Sequence, residues 1–203
     1  MRIAFIGPIG SGKTTMAQTF QESSPGWNLN FASPLKDEVA EFILKTIDGD
    51  SVNKIPKTPH NLVNKLPEAI KREIQKEPRI NKIKELMADR ENKEHFRPIL
   101  QWWGTDFRRK KNINYWIDQI KIFIETAPED FHIYVDDCRF INEFEYLKAN
   151  DFKFVMLEGN PDFNNVNQVQ NHASEEDWKN FQIDMIVPWT DIEERFKLIK
   201  NSL

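Results

Sequence analysis

The sequence predicts an α/β fold, with a mostly parallel central sheet and helices on both of its faces. Three observations predict it. A short apolar strand over 2–6 (RIAFI) runs directly into a glycine-rich turn and then into a helical pattern. Strands and helices go on alternating toward the end of the chain, which is the pattern of a parallel sheet covered on both sides. The polar segments, namely the glycine loop, Ser33, Asp136-Asp137, the stretch after residue 159 and Pro188-Trp189, each follow a predicted strand. They are expected on the carboxyl-end rim, where such sheets bind ligands.

Each element has a local reason. From Lys13 to about Ser23, Met16, Ala17 and Phe20 recur at helical spacing, and Pro25-Gly26 ends the helix. Residues 27–31 (WNLNF) alternate as a second strand. Ser33-Pro34 starts a helix whose apolar face is Leu35, Val39, Phe42 and Ile43. The segment 48–97 is rich in Lys, Glu, Asn and Pro. It predicts a helical insertion: a loop, then short charged helices near 67–77 and 80–93, with the charges as a solvated face. Residues 99–111 look helical, and 115–126 form an amphipathic helix with Ile117, Ile120 and Ile124 inward. Then come a strand over 131–135, a helix over 142–149 and a strand over 152–157. A polar, Asn-rich loop about 159–177 reads as a lid, since so long a loop in a small domain is usually functional or disordered. The last strand is 183–187 and the last helix 192–199.

Length and composition bound the function. The 203 residues suit a single domain, 1–203, with a real core. A net charge of −4 argues against a nucleic-acid polymer as partner but leaves room for a nucleotide. The lone Cys138 cannot form an internal disulfide, which fits a reducing cytoplasm. No run approaches a membrane span, so no membrane is expected as partner. A homodimer is left open.

Residues 7–14 (GPIGSGKT) satisfy Gly, four residues, Gly-Lys-Thr through Gly7, Gly12, Lys13 and Thr14, with Gly10 as an extra glycine. A chance match in a chain this long has odds on the order of 1%, so the motif is informative. Glycines allow successive amides, including those at Ser11 and Gly12, to turn inward on an anion. The helix that follows adds the positive end of its dipole. Lys13 supplies a mobile charge for the β- and γ-phosphates of ATP, and the Thr14 hydroxyl, beside Thr15, suits Mg²⁺. The fold is therefore expected to be a P-loop three-layer sandwich, and ATP with Mg²⁺ is the expected cofactor set. The motif alone does not separate a kinase from a switch or a motor.

Residues 131–137 (FHIYVDD) form a hydrophobic strand closing on two carboxylates, the arrangement that puts an acid beside Mg²⁺. Successive residues on a strand face opposite ways, so one of Asp136 and Asp137 is expected at the metal. Arg139 suits phosphoryl charge, or else a salt bridge with Glu143 or Glu145. For a second substrate, Arg97 to Arg109 (RPILQWWGTDFRR) mixes arginine forks for phosphate, the Gln101 amide for a base edge, and rings for stacking. Trp102, Trp103 and Phe107 read equally as core residues of an amphipathic helix.

With these segments in view, the chain resembles the deoxynucleoside monophosphate kinases of large DNA bacteriophages, within the nucleoside-monophosphate kinase superfamily. Six motifs stand in the same order: GPIGSGKTT at Gly7, FASPLK at Phe31, RPILQWWGTDFRR at Arg97, VDDCRFINE at Val135, HASEE at His172 and IDMIVPWTDIEE at Ile183. The Leu-Gln-x-x-Gly-Thr-acid-x-x-Arg and Asp-x-Arg-Phe-x-Asn-Glu segments are the specific ones.

The resemblance implies transfer of the γ-phosphoryl of ATP to a deoxynucleoside monophosphate, a small-molecule partner, giving ADP and a dNDP. It implies that Lys13 and Thr14 hold ATP and Mg²⁺ and that Asp136 or Asp137 sits near the metal. Ser33, Lys36, Gln101, Trp102, Thr105, Arg108 and Arg139 would lie on the monophosphate side, and Trp189 where relatives often seat adenine. The setting would be the host cytoplasm if the chain is phage-encoded. One departure stands out: relatives commonly bring arginines in on the lid, yet 159–180 has no Arg and only Lys179. Transition-state charge would then fall to Lys13, Arg108, Arg109, Arg139 and Mg²⁺. The alternatives are a P-loop kinase of another small acceptor, or a non-enzymatic ATP-dependent binding or switch module.

Overall fold

The alternating apolar segments assemble as one parallel sheet in the computed structural model, which describes residues 1–49, 55–161 and 180–203. These residues fall into two compact units, Met1–Phe31 with Ile117–Leu203, and Ala32–Trp116. The sheet belongs to the first. Its strands are β1 (Arg2–Ile6), β2 (Gly26–Leu29), β3 (His132–Val135), β4 (Lys153–Leu157) and β5 (Met185–Val187), in the order β2-β3-β1-β4-β5. Every neighbouring pair is parallel, so the carboxyl ends share one edge. The chain leaves β1 toward β2 on one side, and from β3 it crosses to β4 on the other. The end of β1 therefore lies where the strand order reverses, the usual ligand position in open α/β sheets.

Register decides which side chains share a face. Ile3 pairs with Tyr134 and Phe5 with Val155. These four, with Leu157, form one buried cluster with Met16, Ala17 and Phe20 of α1 (Lys13–Ser23) and Ile199 of α9 (Ile192–Ser202). The other face carries α8 (Ile141–Ala149) and α7 (Tyr115–Thr126). The Phe154 ring lies 4.5 Å from Phe144 of α8, and Trp27 lies 5.9 Å from Phe123 of α7. Ile117, Ile120 and Ile124 of α7 are buried, as the sequence period predicts. Helices thus cover both faces of an all-parallel α/β sheet. Among the described residues, no helix is long and apolar enough to cross a membrane.

The second unit is helical. It contains α2 (Ala32–Ile47), α3 (Lys57–Asn64), α4 (Glu68–Lys76), α5 (Ile80–Ala88), α6 (Lys93–Gln101) and a π-helix (Trp102–Arg109). The charged segment is, over 55–97, more structured than its composition suggests. Val63, Ile70, Ile74, Ile83 and Phe96 are buried, as are Val39, Phe42 and Ile43 of α2. Each of these helices is short and contributes only two or three apolar residues, so no single stretch shows a strong period. The sequence therefore predicts a loop where α3 lies and a single helix over 80–93. Asp89 stops α5 instead, its Oδ1 accepting from the amides of Glu91 (2.9 Å) and Asn92 (3.0 Å). Lys84 of α5 pairs with Asp37 of α2.

Ile74→Ala tests whether this unit has a core of its own. Ile74 is fully buried, so the substitution is expected to cost about 2–5 kcal/mol and lower Tm in a thermal melt. An unchanged Tm would mean that these helices do not rely on the packing described.

The segment expected as one helix over 99–111 changes type midway. Lys110 N donates to Thr105 O at 3.0 Å, a five-residue spacing, where an α-helix would use four. The Trp116 indole N–H donates to Gly104 O at 3.2 Å, which gives that carbonyl a partner outside the helical ladder. Wide turns of this kind are rare and concentrate at functional sites.

Candidate functional site

The glycine loop at the end of β1 has the backbone its sequence requires. Gly7, Gly10 and Gly12 have φ of 140°, 80° and 86°, a region where side chains with a Cβ are disfavoured. Ser11 N donates to Pro8 O (3.2 Å), and its side chain is fully buried. Gly12 caps α1, whose first hydrogen bond runs from Met16 N to Gly12 O at 2.8 Å. The first turn of α1 holds no acidic residue, so nothing there neutralises the positive helix end. Lys13 Nζ lies over the loop, donating to Gly7 O and Pro8 O, both at 2.8 Å. Thr14 and Thr15 are exposed in the same turn. The arrangement can receive an anion.

At the end of β3 the two carboxylates differ. Asp136 is buried, 7% exposed. Asp137 Oδ1 accepts from Phe31 N at 2.9 Å and so anchors the chain leaving β2. Alternation along the strand thus gives one acid a scaffold contact and leaves the other as the metal candidate. Arg139 is exposed just beyond. Its backbone amide and that of Phe140 donate to Glu143 Oε2, at 2.9 and 3.1 Å. Glu143, the third residue of α8, makes the carboxylate half of a capping box. Among the described residues there is no group of three or more His, Cys, Asp or Glu suited to a metal. Mg²⁺ does not need one, because it binds through one or two protein oxygens plus phosphate oxygens and water. Thr14 and Asp136 are donors of that kind.

The sequence motifs do not mark Arg195 of α9. Its side chain is 1% exposed, and Nη1 donates to Ser11 O at 2.8 Å. Nη2 donates to Glu158 O, just past β4, at 3.1 Å, and the guanidinium lies 5.1 Å from the Trp189 ring centroid. Trp189, after β5, is 38% exposed. A signal was available: Ile192, Arg195, Phe196 and Ile199 fall on one helical stripe, so an arginine interrupts an apolar face.

In the second unit the chemistry gathers on Glu38. Its Oε2 accepts from Trp103 Nε1 and Arg108 Nε, both at 2.7 Å, and its Oε1 accepts from the Tyr115 hydroxyl. The Arg108 guanidinium stacks 4.7 Å from the Tyr115 ring centroid and 4.9 Å from that of Phe107. With Nε held, the two terminal nitrogens of Arg108 have no hydrogen-bond partner among the described residues. They present a fixed fork for a phosphate or carboxylate. A cavity of about 170 Å³ adjoins it, lined by Glu38, Glu41, Phe42, Lys45, Ile55, Trp103 and Arg108. Glu38 was also missed, and for the same reason as Arg195. It sits on the stripe Leu35-Glu38-Val39-Phe42.

Burial, and then the hydrogen bond to Glu38, push the Tyr115 hydroxyl up to about 12. Glu38→Gln is expected to bring one tyrosine down toward its ordinary value in an ultraviolet tyrosinate titration. An unchanged curve would show that the carboxylate does not act on Tyr115.

The other expected residues are more scattered. Ser33 and Lys36 are half-buried in the first turns of α2. Gln101 ends α6 exposed, while Trp102 is half-buried and stacked on Phe107 (5.3 Å between centroids, 12° between planes). Thr105 is half-buried in the π-helix. Trp103, not Trp102, joins the Glu38 cluster. The lid over 159–177 falls, from 162 on, outside the described residues, as does the HASEE motif. No protein-family model matches this sequence, and no curated protein matches it.

Proposed function

We propose that the chain is a P-loop kinase that moves the γ-phosphoryl group of ATP onto a deoxynucleoside monophosphate. One observation carries this: three glycines with positive φ between a central parallel strand and a helix, with Lys13 lying over them. The amides and Lys13 of the loop hold the triphosphate. Thr14 and Asp136 hold Mg²⁺, which when bound neutralises charge on the β- and γ-phosphates. Arg108, braced by Glu38, binds the acceptor monophosphate, and Thr105, Gln101, Ser33 and Lys36 contribute to the same substrate. Arg139 is the further cation for phosphoryl charge.

An oxygen of the acceptor phosphate attacks the γ-phosphorus. The bond from that phosphorus to the β,γ-bridging oxygen breaks, and ADP leaves. The acceptor is already ionised, so no strong general base is required, and catalysis rests on positioning and positive charge.

The first test is ADP release with ATP and Mg²⁺ against each common and modified dNMP. Turnover with at least one dNMP, well above ATP hydrolysis alone, is expected. No turnover with any dNMP, alongside measurable ATP binding, would favour the switch-module alternative.

Arg108→Ala separates the two substrates. A lost bidentate phosphate contact is expected to raise KM for the acceptor by about tenfold to a hundredfold, with KM for ATP within about twofold. Equal effects on both would remove Arg108 from the acceptor site.

A further inference from the structure

We propose that Arg195 is a positioning residue for the donor nucleotide: one buried guanidinium that holds the phosphate loop and the base platform in a single geometry. The inference rests on the reading of 7–14 as a triphosphate site. Arg195 lies in the first turns of α9, anchored where Asp191 Oδ1 accepts from Glu194 N (2.9 Å) and Asp191 O accepts from Arg195 N (3.1 Å). Its two terminal nitrogens hold the carbonyls of Ser11 and Glu158, and its face lies on Trp189. A Cβ on Gly12 would stand 3.6 Å from Nη1, so the guanidinium lies directly behind the loop. Connections leaving β1, β4 and β5 thus meet on one planar group.

Two features separate this from an ordinary structural arginine. Its partners are neutral carbonyls, no carboxylate among the described residues forms an ion pair with it, and its Nε is buried without a partner. A buried cation without a counter-charge is costly, and an anion seated in the loop in front of it lowers that cost. Burial accordingly holds its pKa below the ordinary arginine value, with Glu158 opposing at longer range. The second feature is rigidity. A planar fork bound at both ends keeps Ser11 and the Trp189 ring from shifting independently, so polyphosphate binding and base stacking are coupled. The ligand class is a molecule carrying both a polyphosphate and a flat base.

The experiment is calorimetric titration of ATP and of inorganic tripolyphosphate, each with Mg²⁺, into the wild-type chain, Arg195→Lys, Trp189→Leu and the double variant. Lysine keeps the charge but offers neither a fork nor a planar face. Arg195→Lys is expected to weaken both ligands, ATP by about tenfold, and to raise KM for ATP but not for the acceptor. Trp189→Leu is expected to weaken ATP alone. The loss of ATP affinity in the double variant should fall short of the product of the single losses.

A merely structural role would lower Tm and the competent fraction while the folded fraction binds as wild type, and that result overturns the proposal. So do multiplicative losses in the double variant. If Arg195→Lys does not fold, Trp189→Leu decides alone, and an unchanged ATP affinity there overturns it. Wild type that binds neither ligand sinks the phosphate-site reading itself; wild type that binds both, with Arg195→Lys indistinguishable from it, sinks this inference only.

Discussion

Lys13→Ala is expected to reduce phosphoryl transfer by at least about 10²–10³-fold, the range seen when one preorganised donor at developing charge is removed. The lysine ammonium is the one side-chain cation that follows directly from the loop sequence, and it lies over the carbonyls of Gly7 and Pro8. Its hydrogen bonds to Gly7 O, Pro8 O and Ser11 Oγ are worth about 1 kcal/mol each, so Tm should fall by about 6–12 °C. The pairing of a large kinetic loss with a moderate thermal one is the diagnostic. It is measured by coupled ADP release and a thermal melt on the same preparation. Retained turnover would remove Lys13 from the phosphate site, and a collapse in Tm would make it structural instead.

Gly7→Ala is expected to be strongly damaging for a change of one methyl group. A Cβ on Gly7 would stand 2.3 Å from Leu157 O and 2.9 Å from Ser11 Oγ. Leu157 O belongs to the backbone of β4, the direct neighbour of β1, and cannot step aside without breaking the register of the sheet. The φ of 140° at Gly7 adds strain that no side chain relieves. Strain of about 1–3 kcal/mol and a similar overpacking cost together give about 2–6 kcal/mol. For a chain of 203 residues that lowers Tm by about 4–24 °C, and ATP affinity should fall with it. A variant that melts and binds ATP like wild type would show that the loop adopts another conformation.

How legible these features were depends on how local their causes are. The strand, glycine turn and helix over 2–23 were read residue by residue, because each signal lies within a few positions of the structure it specifies. The same holds for α7, whose bounds of Tyr115–Thr126 coincide with the periodic stretch. The short helices over 57–101 were harder, since their apolar residues become a core only when several helices are placed together. The π-helix has no local signal, and the hydrogen bond from Trp116 to Gly104 O joins it to a residue twelve positions away.

The candidate site divides along the same line. Gly7, Gly10, Gly12, Lys13, Thr14 and the carboxylate pair at Asp136-Asp137 carry the chemistry proposed for them in their spacing alone. Arg195 and Glu38 do not, since an isolated Arg or Glu in a helix is common. Their meaning comes from a burial that brings 184 residues of separation down to a 2.8 Å contact in one case, and gathers Trp103, Arg108 and Tyr115 in the other.

The sequence by itself determined the α/β class, the order of its main elements and the glycine loop between β1 and α1, because backbone preference and hydrophobic period act over short range. Only the tertiary structure decided that Asp137 holds Phe31 while Asp136 stays available, that Trp103 replaces Trp102 beside Arg108, and that Arg195 braces the loop from behind. Each of those outcomes is a choice among partners far apart in the chain, and such choices are made by packing and by the need to satisfy buried polar groups.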